Sequence, residues 1–505
     1  MDVKLLSSVA QWLALFLTTC VIILCGLFYH NYNYWKKKGV PYEEPFLFFG
    51  NLTFLMRKSF WDFCYDLRNK QPRDYVGIFL AWRPALVVQT PELARQILVK
   101  DHEYFQDRFL YARESDPLGS LNLFTMKNPL WTEMRHEISP MFTSARLKQY
   151  SVLMNLNATE LVGKIQRDFV DENKPVNLKE LFSMYTSDTV AYTAFGIRVS
   201  VLNDQDSPLW YITSHMVKWT FWRGFELTMI FLVPAIAAMM RLCFFSVPAT
   251  EFIKKIFWNV VNERKKLENI NSDQKDLVNH LLQLKENLKL PAESGSELAD
   301  NLMLAQAAVF ILGSIETSST ILSYTLHELS YNLESQEKLY KEVKEAIENS
   351  GKDVLDYDEL MQLKYLNACI YETCRKHTPV PYLDRICSRD YKLNDQLTVE
   401  KGVPVFVNVL ALHYDENVYP EPNEWRPERM IANNTESHNF SFLPFGEGPR
   451  FCIGKRYGLL QVRAAMAQMI VKYKLQPAVP YQVKTDPYSV LLSPDKGLSV
   501  KFIPR

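Results

Sequence analysis

For 24 residues, from Leu5 to Phe28, the chain carries no charge and is rich in Leu, Ile, Val and Phe. A helix of that length crosses a bilayer. From about Phe46 onward most apolar positions recur at the 3.6-residue spacing of amphipathic helices, with one long helix predicted around Asn301–Leu333. Four short runs read as strands instead: Tyr75–Leu80, Ala85–Gln89, Leu397–Val399 and Val403–Val409. The pattern predicts a mainly α fold with a small β part. Residues 266–300 are the most polar segment, yet Leu277, Val278, Leu281, Leu282 and Leu284 punctuate it. A solvated helix and loop fits that stretch better than a domain boundary. Leu227–Met240 is uncharged for 14 residues, too short to span a membrane and interrupted by Pro234. A helix pair half-immersed in a membrane surface and an ordinary buried pair both satisfy it.

Composition narrows the class. The 505 residues include 57 basic and 57 acidic side chains, so the formal charge is zero and nothing points to nucleic acid. Aromatics at 13% and 26 prolines exclude a disordered chain. Length alone would allow about three domains of roughly 150 residues. No repeat or low-complexity linker divides residues 46–505, so they are read as one unit. The eight cysteines are scattered without a CxxC, which excludes a disulfide framework and favours a reducing compartment. Residues 1–29 are read as an uncleaved membrane anchor. A cleaved signal peptide is the rival, but the apolar stretch is long for one and Lys36–Lys38 follow it. That basic flank predicts a cytosolic body, and residues 30–45, with Pro41 and Pro45, read as a stiff linker.

The densest chemical signal is Phe445-Gly446-Glu447-Gly448-Pro449-Arg450-Phe451-Cys452-Ile453-Gly454. A five-position match to Phe445, Gly448, Arg450, Cys452 and Gly454 arises by chance in about one chain in ten thousand. A metal-ligating cysteine must ionise, and Arg450 with the helix that begins near Cys452 would favour the thiolate. Gly448 and Gly454 would let the backbone turn tightly and approach a flat cofactor. A buried apolar cysteine is the plainer reading for an isolated thiol. The loop resembles the haem-binding loop of the cytochrome P-450 family, the haem-thiolate monooxygenases, and further motifs follow in the family's order over nearly the whole chain. These include Trp35-Lys-Lys-Lys-Gly-Val-Pro41, Phe105-Gln-Asp-Arg108 and the stretch from Glu372 to Arg385.

The resemblance implies a single catalytic domain over residues 46–505, with Cys452 as axial ligand of haem iron. Trp131, Arg135, Arg385 and Arg450 would meet the haem propionates, since carboxylates at a buried cofactor need fixed donors. Glu372, Arg375 and Arg429 would form a structural cluster; the first two lie three apart and share a helix face. In Gly313-Ser314-Ile315-Glu316-Thr317 the Thr317 hydroxyl can bond back to the carbonyl of Gly313 and loosen the turn. Thr317 and Glu316 would then deliver protons beside a dioxygen groove. Ser314 stands where the family more often has glycine, which bears on the groove's width. Substrate contacts implied in the same way are Phe109, Leu123, Val309, Gly313, Val380, Leu383 and Leu491.

The wording of the motifs is similar to insect microsomal members that oxidise foreign compounds. It implies a monooxygenase in the endoplasmic reticulum membrane acting on apolar small molecules. Electrons would come from an NADPH-cytochrome P-450 reductase, with cytochrome b5 as a further partner, because no dinucleotide fingerprint is present here. A haem-thiolate peroxide isomerase or dehydratase that needs no reductase is the alternative. Retention of Glu316-Thr317 argues against it.

Overall fold

The computed structural model describes residues 3–204, 206–266, 276–287, 295–432 and 440–505. Its first helix, Val3–Tyr32, contains the uncharged stretch, and Trp12, Phe16 and Ile22 on it are exposed. By length and composition Ala14–Lys37 can cross a membrane. The following residues are not a free spacer. Trp35 is buried, its indole N–H donates to the Ile78 carbonyl at 3.0 Å, and Val40 is buried as well. Gly77 is needed for that docking, because a Cβ there would lie 2.4 Å from Trp35 Cγ.

Around this anchor point a four-stranded sheet runs β1 (Tyr75–Leu80), β2 (Arg83–Val88), β7 (Pro404–Asn408), β4 (Tyr382–Ile386). Its β1–β2 and β4–β7 pairs are antiparallel and β2–β7 is parallel, with Leu86 opposite Val405. A second sheet joins β3 (Val176–Asn177), β9 (Ser499–Pro504) and β8 (Tyr473–Pro477), and β5 (Tyr391–Lys392) pairs with β6 (Thr398–Val399). Strands β1, β2, β6 and β7 lie where the sequence pattern placed them, within two residues at each end.

Helices form the rest of the body. The central helix, Gly295–Tyr331, packs most extensively on Leu178–Phe195 and is buried along most of its length from Leu302. Within the polar segment, Leu277–Asn287 is a helix with Leu277, Val278, Leu281 and Leu284 buried, so it is part of the core; residues 267–275 and 288–294 lie outside the described residues. Residues 227–240 form the end of helix Phe221–Leu232 and helix Pro234–Met239. Leu227–Val233 are buried while Met239 and Met240 are exposed, which favours the buried pair with an open tip.

Candidate active site

Helix Lys455–Lys472 follows the cysteine loop directly, with Gly454 as its N-cap. The loop closes on itself through Cys452 N–H to the Phe445 carbonyl (2.8 Å) and Phe451 N–H to that of Gly448 (3.0 Å). Gly448 is required here for two reasons. Its φ is +74°, and a Cβ on it would sit 1.9 Å from the Leu98 carbonyl oxygen. The crowding at Gly448 comes from the protein's own backbone. Gly454 has an ordinary φ of −85°, and beyond its own chain neighbours a built Cβ would meet only Phe142 Cε1, at 4.0 Å.

Cys452 is open by accessible surface, yet protein encloses it deeply enough that burial pushes its thiol up. The Gly454 N–H, Arg135, Arg108 and Lys455 act in the opposite sense and favour the thiolate. Arg450, expected to assist the thiol, is engaged elsewhere. Its guanidinium donates to Gln106 and Met126 carbonyls and to Asp107 Oδ1 (2.8, 3.0 and 2.8 Å), and lies 4.1 Å over the Trp131 ring. Arg135, one helical turn beyond Trp131, stacks instead on Phe451 at 4.6 Å.

Beside Arg450 the structure collects charges that no local spacing announces. Arg108 Nη1 lies 3.3 Å from Asp384 Oδ1, Lys127 donates to the Arg108 and Leu110 carbonyls, and Arg385 donates to the Asp384 carbonyl at 2.7 Å. Four cations (Arg108, Lys127, Arg385, Arg450) therefore face two carboxylates (Asp107, Asp384), an excess of two positive charges. Burial, then repulsion from Arg108, lowers Arg385 and Arg450 each to about 9. Burial lowers Lys127 to about 8, with Asp384 and Asp107 opposing. A ligand bearing two carboxylates relieves this imbalance, and haem with its two propionates fits the donor set. Arg108 was legible in the Phe105-Gln-Asp-Arg108 motif but drew no role; Lys127 gave no sequence signal.

The central helix carries an open stripe. Val309 and Thr317 are partly open and Gly313 is exposed, although Leu302–Ala308 and Ser314–Glu316 are buried. Residues 309, 313 and 317 recur at i, i+4, i+8, so they form one stripe facing open space, and nothing lies within 4 Å of a Cβ built on Gly313. Thr317 Oγ1 donates to the Gly313 carbonyl at 2.7 Å. Ser319, Thr320, Ser323 and Thr325 make the same i−4 bond in the buried part of the helix. The bond is common here; what sets Thr317 apart is its open face.

Its neighbours point elsewhere. Ser314 is buried against Tyr457 of the helix after the cysteine loop, so it does not narrow the stripe. Phe310 packs on the same Tyr457 at 5.5 Å, which brings the stripe to the cysteine side of the molecule. Glu316 is buried and its Oε2 lies 3.1 Å from Lys179 Nζ. That distance is an ion pair without hydrogen-bond alignment. The ammonium donates instead to the Glu316 carbonyl, Ser319 and Thr320, leaving both carboxylate oxygens without a hydrogen bond. Lys179 is lowered by burial, with Glu316 opposing.

Glu372 and Arg375 are fully buried and pair at two points, 2.9 and 2.8 Å. Arg429 Nε comes within 3.1 Å of Glu372 Oε1 without an aligned N–H, so the third member adds charge more than a bond. Arg375 also donates to the carbonyls of His413, Pro422 and Glu424. Of the remaining predicted positions, Leu123, Val380, Phe445 and Leu491 are partly open. Phe109 is buried against Phe406 and the Arg83 guanidinium, and Leu383 is buried with its methyls near Gly446.

Comparison with known proteins agrees with this arrangement. The profile of the family described as Cytochrome P450 matches residues 40–502. The chain is 32% identical to "Cytochrome P450 6k1" of Blattella germanica over 97% of both chains. It is 31% identical to "Probable cytochrome P450 6d5" of Drosophila melanogaster (94% of this chain, 95% of the relative) and 31% identical to "Cytochrome P450 6B2" of Helicoverpa armigera (98% and 99%). With an accessible thiol in its glycine-flanked loop, an unbalanced cationic cluster beside that loop and a match along nearly its whole length, the chain belongs to the cytochrome P450 family of haem-carrying monooxygenases.

Proposed function

We propose that this monooxygenase is held in the endoplasmic reticulum membrane by its first helix, faces the cytosol, and oxidises apolar small molecules with electrons from an NADPH-dependent reductase. The observation that carries the reading is the open stripe Val309, Gly313, Thr317 on a helix that is mostly buried from Leu302 onward. Haem held by Cys452 would supply a reducible iron for chemistry on dioxygen, and a thiolate ligand favours O–O cleavage. Arg108, Lys127, Arg385 and Arg450 would hold its propionates, with Trp131 packed beneath Arg450. Gly313 leaves room against the helix, and the Thr317 hydroxyl holds a proton at that position. Glu316 serves in the resting state as counter-ion to Lys179, and it joins proton delivery only by leaving that partner. Leu123, Val380 and Leu491 offer apolar contacts to a substrate. Cytochrome b5 is a further electron donor of the expected kind.

Cytosolic orientation rests on Lys36–Lys38 following the uncharged stretch. Glycosylation is a poor probe of it, because the sequon residues Asn51 and Asn157 are buried and Asn433 and Asn439 lie outside the described residues. Protease protection in intact microsomes answers it directly; a body shielded until detergent is added overturns the orientation. For the reaction, Thr317→Val keeps the side-chain volume and removes the hydroxyl. With NADPH and reductase the variant is expected to consume electrons while forming less product and more peroxide, with substrate affinity nearly unchanged. Product and peroxide in the parental ratio would remove Thr317 from the reaction.

A further inference from the structure

Two segments distant in sequence, the first bound to the face of the central helix that carries the open stripe, are joined at one buried carboxylate. The first, residues 109–124, carries Leu123 and is fixed to the central helix by Gln306. Gln306 Oε1 accepts the Leu123 N–H at 2.9 Å, and its Nε2 donates to the Leu121 carbonyl at 2.6 Å. Asp116, 5% exposed, caps the short helix Pro117–Ser120 in this segment by accepting the Gly119 N–H on Oδ1 at 3.0 Å. Its other oxygen, Oδ2, accepts the Phe244 N–H at 2.7 Å, across 128 positions of sequence.

The second segment is gripped from the far side. Arg223, on helix Phe221–Leu232, donates to the Cys243 carbonyl at 3.2 Å and to that of Phe244, and is itself paired with Glu226 at 3.2 Å. Phe244 is thus held by its N–H and its C=O between an acid and a base. Its ring stacks on Phe231 at 6.2 Å and 15°, and both meet Phe124, the neighbour of Leu123, at 6.3 and 5.9 Å. Close approach is possible because residue 119 is glycine: a Cβ there would lie 2.1 Å from Asp116 Oδ2 and 2.8 Å from Phe244 Cβ.

We propose that Asp116 is a positioning residue that latches the Phe244 segment to the Leu123 segment, closing the wall of the substrate cavity and setting which substrate sizes enter. Helix capping uses one carboxylate oxygen; the second reaches a distant segment whose only covalent link to the first is a long excursion of chain. A single charge-assisted hydrogen bond and an aromatic stack are weak enough to open during ligand entry and strong enough to bias the closed form. Burial raises Asp116 from its ordinary value, opposed by the Phe244 and Gly119 N–H groups and by Arg113 and Arg223, in keeping with a carboxylate held by what it latches. The proposal rests on the reading that Leu123 and Gly313 line the substrate cavity.

Asp116→Asn leaves one acceptor oxygen for two N–H groups. Stopped-flow binding to the haem-loaded enzyme would compare a bulky phenyl-substituted imidazole with carbon monoxide, alongside haem content and thermal midpoint. The expected result is that the bulky ligand associates and dissociates about tenfold faster, as loss of one such bond implies, while carbon monoxide binding is unchanged. Rates that match the parent for both ligands overturn the latch, and so does an equal acceleration of both with a lowered midpoint, which marks a merely structural residue. If Asp116→Asn does not load haem, Arg223→Lys, which gives up the grip on the Phe244 carbonyl, is read by the same criteria. A parent enzyme that binds the bulky ligand as fast as carbon monoxide would instead refute an enclosed cavity at Leu123.

Discussion

Replacing Glu372 by glutamine removes one charge from a site that no water reaches. Glu372 and Arg375 are each 0% exposed in their side chains and share two aligned bonds, 2.9 and 2.8 Å, while Glu372 Oε1 also accepts the Arg426 N–H at 3.0 Å. Breaking such a pair from one side costs about 3–5 kcal/mol, because the remaining charge is left buried. Two features place the expected cost near the lower end, about 3 kcal/mol. Arg375 keeps three carbonyl partners, and Arg429, 11% exposed, turns to the Pro420 carbonyl at 2.8 Å. For a body of this size the unfolding entropy is on the order of 1 kcal/mol per degree, so the thermal midpoint should fall by about 3 °C. Haem loss makes unfolding irreversible, so parent and variant are compared at one scan rate, with haem content measured in parallel. The double variant Glu372→Gln with Arg375→Gln should recover part of the loss, since neither charge is then stranded. A single variant with parental midpoint and haem content, or a double variant whose loss equals the sum of the two singles, would refute the reasoning.

Cys452→His, where it still loads haem, should lose the red-shifted ferrous–carbon monoxide band and NADPH-driven turnover; retention of that band would assign the thiolate to another cysteine. Gly448→Ala forces a Cβ to within 1.9 Å of the Leu98 carbonyl at a φ of +74°, so little folded, haem-loaded protein is expected, whereas Gly454→Ala should accumulate far better. Burial holds His377 at about 4, with Glu328 opposing through a 2.6 Å bond. Because that value is depressed from 6.5, its stabilisation is complete above the unfolded value and drains as pH falls toward 4. About 2 kcal/mol should vanish between pH 7 and 5, and His377→Gln should flatten that part of the midpoint–pH curve. An unchanged slope in the variant would exclude His377 as its source.

How much of this was legible in the chain depends on how far apart the interacting groups lie. Helical spacing alone fixed what stands one turn apart. The Thr317 hydroxyl bonds to the Gly313 carbonyl and Glu372 pairs with Arg375 because i, i+4 and i, i+3 positions meet on any α-helix. The cysteine loop was legible for a similar reason, since Phe445 to Gly454 close on one another within ten residues. Strands β1, β2, β6 and β7 showed in their apolar runs. Strand β4 did not, because Asp384 and Arg385 interrupt it with charges that only a buried partner set can stabilise. Strands β8 and β9 mix lysine and proline with apolar residues, and their pairing of Leu475 with Phe502 is a contact between distant parts of the chain.

What the tertiary structure decided is where each charge ends. Arg450 and Glu316 carried sequence-based roles that named no partner for them within the protein. Packing gave Arg450 to Asp107, 343 positions away, and Glu316 to Lys179, 137 positions away. It likewise assembled Arg108, Lys127 and Arg385 around Asp384 and joined Asp116 to Phe244. The physical reason is that a buried charge must find an opposite charge or a row of dipoles somewhere in the fold. A helix's periodicity says which face a residue occupies, but only the packed chain says what that face meets.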